Sequence, residues 1–241
     1  QRNVDTGMGL ERTLCILNGV ESVYETDIFE KAIAKIEELT GRKYGESEEV
    51  TKAFRVVLDH VRTATFMLGD DHGIVPSNTD QGYILRRVIR RAVRYGRNIG
   101  LPKGALNEVS KTIIEKYASV YGVLTRNAAH IPEELNKEGE KFSATLKQGI
   151  REFEKVASAL SAGGMIDGHS AFRLYDTYGF PVEITMEMAR EKGLSVDEEG
   201  YKKAYAEHQE KSRAGSEQKF ACGLADHKEE TTKLHTAPHL L

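Results

Sequence analysis

One stretch constrains the fold more than any other: DQGYILRRVIRRAVRYGRN, residues 80–98. At about 100° per residue, Arg86, Arg87, Arg90, Arg91, Arg94 and Arg97 fall within an arc of roughly 140°, with Tyr83 among them. Leu85, Val88, Ile89, Ala92 and Val93 cover the other side. The segment reads as one helix with a core face and a guanidinium face, and it needs further helices to bury the first. Between Gly82 and Lys103 there are six Arg and one Lys with no acid, so like charges repel by about 0.2–0.5 kcal/mol per i, i+4 pair with no local offset. Two readings fit: acids on neighbouring helices answer this face, or an anion lies against it. Arginine rather than lysine suits phosphate, because its planar fork binds two oxygens at once.

The remaining pattern is also helical. Residues 10–17 carry apolar positions at helical spacing and stop at Asn18-Gly19, a C-cap signal. Asp27 is placed to cap a helix carrying Ile28, Phe29, Ala32, Ile33, Ile36 and Leu39 that ends at Gly41. Further helices are expected over 49–68, 103–120 and 133–160, with GDDHGIVPSN as the turn before residue 80. GGMIDGHS reads as a turn with a short extended piece, followed by helices over 171–178, from Pro181 to about Lys192, and over 196–213. No apolar run approaches the roughly 18 residues that a bilayer requires, and no basic-then-apolar leader is seen. Cys15 and Cys222 form no disulfide framework, and Cys15 reads as a core residue. The expectation is a cytoplasmic protein without membrane contact. A net charge of -3 hides the local basic surface.

Near the start of the chain stands VDTGMGLERTL, residues 4–14. Taken alone, a glycine pair ahead of a helix is either a plain turn or a place where backbone approaches a ligand closely. A generic nucleotide loop of a hydrolase is a third reading, disfavoured because no GK[ST] sequence accompanies it. GMGLERTL resembles motif 3 of the class II aminoacyl-tRNA synthetases, a strand running into a helix. DHVRTATFMLGDDHGIVPSNTDQGYILRRVIRRAVRYG, LYDTYGFPVEIT and HTAPHLL, in that order, narrow the resemblance to the alanyl-tRNA synthetase family across nearly the whole chain.

The resemblance implies a mainly α chain: a helical tRNA-recognition domain following the last strand and helix of an antiparallel-sheet catalytic domain. The implied divisions are residues 1–19 (end of the catalytic domain), 20–193 (acceptor-stem recognition), 194–231 (helix and linker) and 232–241 (start of an editing domain). It further implies that Asp5 holds the amino group of alanine, that Gly7 and Gly9 let the strand lie under ATP, and that Arg12 stacks on adenine. Magnesium would accompany the ATP. A surface ion pair of Arg12 with Glu11 or a neighbour is the plainer alternative.

In the tRNA-reading part, Asn78 and Asp176 match the residues assigned to a G·U wobble in the acceptor stem. The guanine amino group there lacks a base partner and is complemented by an acceptor oxygen, which both side chains carry. From the residues alone, Asn78 is better read as an N-cap and Asp176 as a cap or brace for the turn before Pro181. Arg86, Arg87, Arg90, Arg91 and Arg94 would track the stem backbone, or some would fix the domain to the catalytic body.

His235 and His239 stand four apart, the start of the family's zinc site in its editing domain. The other ligands are missing and Pro238 lies between them, so an occupied zinc site is not expected here. His60 and His169 read as structural or surface groups. With Gln rather than Met first, the chain reads as an internal piece of a ligase that joins alanine to tRNA(Ala), lacking motifs 1 and 2 and inactive by itself. A stand-alone helical RNA-binding module is the alternative. Oligomeric state is left open.

Overall fold

The computed structural model of the chain describes residue 3 and residues 7–221, of which 212–221 as helix backbone alone. Among these residues ten α-helices and one two-stranded parallel sheet make up the regular structure, with a short 3-10 turn at Val23–Glu25. The mainly α expectation holds. The strand expected ahead of the first helix falls partly outside the described residues, and residues 7–9 carry no regular structure. The chain divides into two compact units, one built on residues up to 151 together with 178–181, the other on 152–177 and from 182 onward.

In the first unit, α1 (Leu10–Asn18) ends where Gly19 turns left-handed at φ 66° and donates to Cys15 and Ile16. α2 (Glu30–Thr40) begins later than Asp27 suggests: its N-cap is Phe29, with no side-chain cap, and Asp27 instead pairs with Lys116 at 2.5 Å. The apolar side of Phe29, fully buried, outweighs the capping preference at this position. α3 (Glu48–Gly69) has the cap the sequence lacked a label for, Ser47, whose hydroxyl accepts from the Val50 amide at 3.2 Å. Along α3, Val50, Phe54, Val57, Leu58, Val61 and Leu68 are buried at three- and four-residue spacing.

α4 (Asp80–Asn98) lies against α3; its Ala92 and Tyr95, with Ile99 just past its end, join Phe54, Val57 and Ile36 in the principal core. A second core joins Leu85 and Ile89 of α4 to Ala64 and Leu68 of α3. Buried Thr65 and Ser110 share a hydrogen bond at 2.8 Å, tying α3 to α5 (Ala105–Tyr117). The expected helix over 103–120 is shorter, and a separate turn, α6 (Gly122–Arg126), follows it. α6 packs so closely that a Cβ at Gly69 would come within 2.6 Å of Leu124. α7 (His130–Ser158) starts before Pro132, which is tolerated because a first-turn residue needs no amide hydrogen.

The second unit contains two similar strand-to-helix passages. β1 (Met165–Ile166) pairs in parallel with β2 (Ser195–Val196), Met165 opposite Ser195 and Ile166 opposite Val196. An Asp follows each strand and caps a helix: Asp167 accepts from Ser170 at 2.9 Å, and Asp197 from Gly200 at 2.9 Å. The helices are α8 (Gly168–Tyr178) and α10 (Glu198–Ala221), with α9 (Val182–Glu191) between them in sequence. A Cβ at Gly168 would collide with the Gly200 backbone, so the two helix starts meet with nothing between them.

Candidate nucleic-acid interface

The guanidinium face of α4 is not uniform. Arg90 and Arg94 are each only 5% exposed, Arg86, Arg87 and Arg91 are half-buried, and Arg97 is exposed. Glu138 of α7, itself buried, receives Arg90 through Nε at 2.6 Å and Nη2 at 2.5 Å, and lies 3.5 Å from Arg86 Nε. Arg90 also donates to the Gly179 carbonyl and lies over the Phe142 ring at 5.2 Å. Arg90, one of the arginines expected along an RNA backbone, is thus already engaged by a carboxylate inside the same unit. Arg94 is buried beside the Tyr95 ring at 5.0 Å. Glu138 was hidden in the run EELNKEGE, whose composition reads as a solvated helix face.

Ahead of α4 the VPSN loop folds back on the helix it precedes. The Ser77 amide donates to Gly82 at 3.1 Å, and the Ser77 hydroxyl donates to the Thr79 carbonyl at 2.8 Å. A Cβ at Gly82 would collide with Ser77 and approach the Val75 carbonyl to 2.5 Å, so this fold-back requires glycine. The N-cap residue is Thr79, without a side-chain cap bond, which removes the N-cap reading of Asn78. Asp80 stands at φ 51°, the one left-handed residue other than glycine among those described. Asn78 is exposed, and its Oδ1 accepts from Arg86 Nη1. Elsewhere on α4, Arg91 Nη1 lies 3.0 Å from His60 Nε2, so His60 is a half-buried neighbour of the basic face.

Asp176 of α8 has a half-exposed carboxylate 3.7 Å from His208 Nε2 of α10. Around His208, Phe172 packs at 5.4 Å, and Tyr175, Tyr201 and Tyr205 extend the ring cluster. Asp176 therefore sits at the edge of an aromatic joint between two helices, not in the turn before Pro181.

Near the chain start, Gly9 is the N-cap of α1 in an extended conformation, and a Cβ on Gly7 would meet nothing within 4 Å. Glu11 pairs with Arg62 at 2.8 Å, so the Glu11–Arg12 bridge does not form. Arg12 is exposed and makes no hydrogen bond or ion pair with another described residue. An open glycine backbone followed by an exposed guanidinium is compatible with a flat, anionic ligand. Asp5, His235 and His239 lie outside the described residues. Among the described residues no group of three or more His, Cys, Asp or Glu could hold a metal ion, and no helix is long and apolar enough to cross a membrane.

Residues 1–239 match the family model of class II (A) tRNA synthetases. The chain belongs to that family. Relatives of this synthetase chain include alanine–tRNA ligases of Treponema denticola, 50% identical over 240 residues, and Borrelia hermsii, 47% identical over 238. Each alignment covers 99% of the chain and 40% of the relative. The alanine–tRNA ligase of Thermotoga maritima is 42% identical over 214 residues, 89% of the chain and 24% of the relative. The chain thus spans about two fifths of the length of the first two ligases it matches.

Proposed function

We propose that this chain is the acceptor-stem-reading part of an alanine–tRNA ligase, joined to the end of its ATP and alanine site. The observation that carries the reading is the exposed Asn78 amide, held by Arg86, which lies against a buried Glu138. Fixing a surface amide through two charged residues, one of them buried, costs desolvation that a solvent-facing loop does not need. A stem-reading group does need it, because a shallow groove offers few hydrogen-bonding atoms and the reader must be pre-positioned. Asn78 retains an Oδ1 lone pair and its Nδ2 donors for a base edge. Asp176 is the second reader, with an acceptor-only carboxylate. Arg86 is a positioning residue, while Arg87 and Arg91 border the stem backbone and supply the salt-dependent part of binding.

In the same reading, Gly7 and Gly9 let backbone lie against adenosine, Arg12 stacks on the base, and Asp5 takes the amino group of alanine. ATP with magnesium supplies the activated phosphate, and the chain's own contribution is positioning and charge stabilisation. Partners are tRNA(Ala) and alanine, in the cytoplasm.

The test uses the 241-residue chain and acceptor-stem RNA hairpins carrying G·U or A·U at one position, compared by filter binding. Asn78→Ala and Asp176→Ala should each reduce the preference for G·U about tenfold, since one lost base contact is about 1–3 kcal/mol. Equal loss on both hairpins in both variants would overturn the reading.

A further inference from the structure

Behind the C-terminal half of α4 lies a cavity of about 460 Å³ between α4, α5 and α7, distinct from the surface bearing Asn78. Its walls are Val93, Leu101, Leu106, Leu135 and Leu146, and it has room where Gly139 carries no side chain, whereas Leu101 fills the space over Gly96. At its rim stand Arg97, Lys103 and Lys147, all exposed, against one carboxylate, Glu140. None of the three cations makes an ion pair with another described residue. The first turn of α5 also faces this region through Gly104, a lining residue at φ 78° whose position as N-cap supplies no side-chain acceptor. A helix start of this kind favours an anion, here reinforcing three side chains of the same sign.

The volume lies within the range of small-molecule sites, about 300–1,000 Å³, and the combination of apolar wall and few polar groups is their usual composition. An apolar wall alone would admit any hydrocarbon, and a cationic rim alone would attract any anion. Together they select a molecule with both parts. We propose that this cavity binds a small amphipathic anion, with its aryl or branched-alkyl body on Val93, Leu106 and Leu135 and its carboxylate or sulfonate at Lys103 and Lys147. The site stands apart from RNA reading and is independent of it.

The probe is 8-anilinonaphthalene-1-sulfonate, with N-phenyl-1-naphthylamine as its uncharged counterpart, titrated by fluorescence against the 241-residue chain. One saturable site is expected, with the sulfonate bound about tenfold more tightly than the neutral amine, as expected for a charge-assisted contact at the rim. Gly139→Leu fills the cavity from α7; a Cβ there has ordinary room, 3.7 Å from Val93. Ala144→Trp, at an exposed lining position, covers the mouth without touching the core. Both should weaken the sulfonate at least tenfold. Lys103→Gln with Lys147→Gln should weaken the sulfonate about tenfold and leave the amine unchanged, while Lys202→Gln on α10 should change neither. Unaltered sulfonate binding in Ala144→Trp, or equal affinity for the two probes, overturns the proposal. RNA-hairpin preference measured on the same variants should be unchanged, so the two readings fail separately.

Discussion

Arg90 on α4 donates to the main-chain oxygen of Gly179, 89 residues further along the chain. Gly179 has φ 70°, and a Cβ there would approach Arg90 Nη1 to 2.6 Å. The two sequence blocks RRVIRRAVRYG and LYDTYGFP are therefore joined by one guanidinium, which Glu138 holds from the other side.

Removing one partner of that buried pair should be costly. Arg90→Ala or Glu138→Ala is expected to lower unfolding free energy by about 3–5 kcal/mol, whereas Arg90→Met with Glu138→Leu should recover most of it. Urea titration followed by circular dichroism checks both. A loss under about 1 kcal/mol in the single variants would mean the pair is not buried as described.

Gly179→Ala combines an unfavourable backbone region with a collision, so a loss of at least about 1–2 kcal/mol is expected by the same titration. Gly82→Ala should behave differently. It pushes away Ser77 and the Val75 carbonyl, which carry the loop bearing Asn78. Its main effect should appear in G·U preference on hairpins, with thermal stability reduced less than by Gly179→Ala.

Arg86→Gln separates positioning from attraction. The variant releases Asn78 and should cut the preference for G·U about fivefold. The charge it neutralises is engaged with Asn78 and Glu138, so on the proposed reading the slope of log Kd against log salt should be nearly unchanged. Arg87→Gln and Arg91→Gln should do the reverse, each lowering that slope by about 1 with preference retained.

Several carboxylates carry an acid-dependent part of stability. Asp167 is held below the usual carboxylate range, chiefly by the Ser170 amide, and Glu37 chiefly by the Lys43 ammonium and then the Tyr44 amide. A group depressed in the folded state stabilises fully above its unfolded value, about 4, and loses that contribution as pH falls through the folded value. Tm should therefore be insensitive to these groups at pH 6–8 and decline below about pH 4. Asp167→Asn keeps a capping acceptor but no titration, and it should shallow that decline.

Much of the architecture was legible because α3 and α4 have strong 3.6-residue periodicity and because Asn18-Gly19 and Gly41 are direct helix stops. The start of α2 was not, since Asp27 has the right type for a cap but Phe29 commands the deeper burial. Asn78 and Asp176 could be named from family motifs, yet their surroundings could not. Spacing on one helix says nothing about a glutamate 48 residues away, and so the inward turn of Arg90 was invisible until α7 was placed. Arg86 and Arg90 occupy the same arc of the helix, but only three-dimensional packing assigns one to Asn78 and the other to Gly179.

The paired strands of the second unit meet over two rungs, with Ser195 donating to Gly164 at 3.0 Å and Asp197 to Ile166 at 2.9 Å. So short a ladder cannot persist without the helices on either side of it. Its amide protons should consequently exchange with solvent only when that whole unit opens, making Ser195 and Asp197 reporters of cooperative breathing rather than of local fraying.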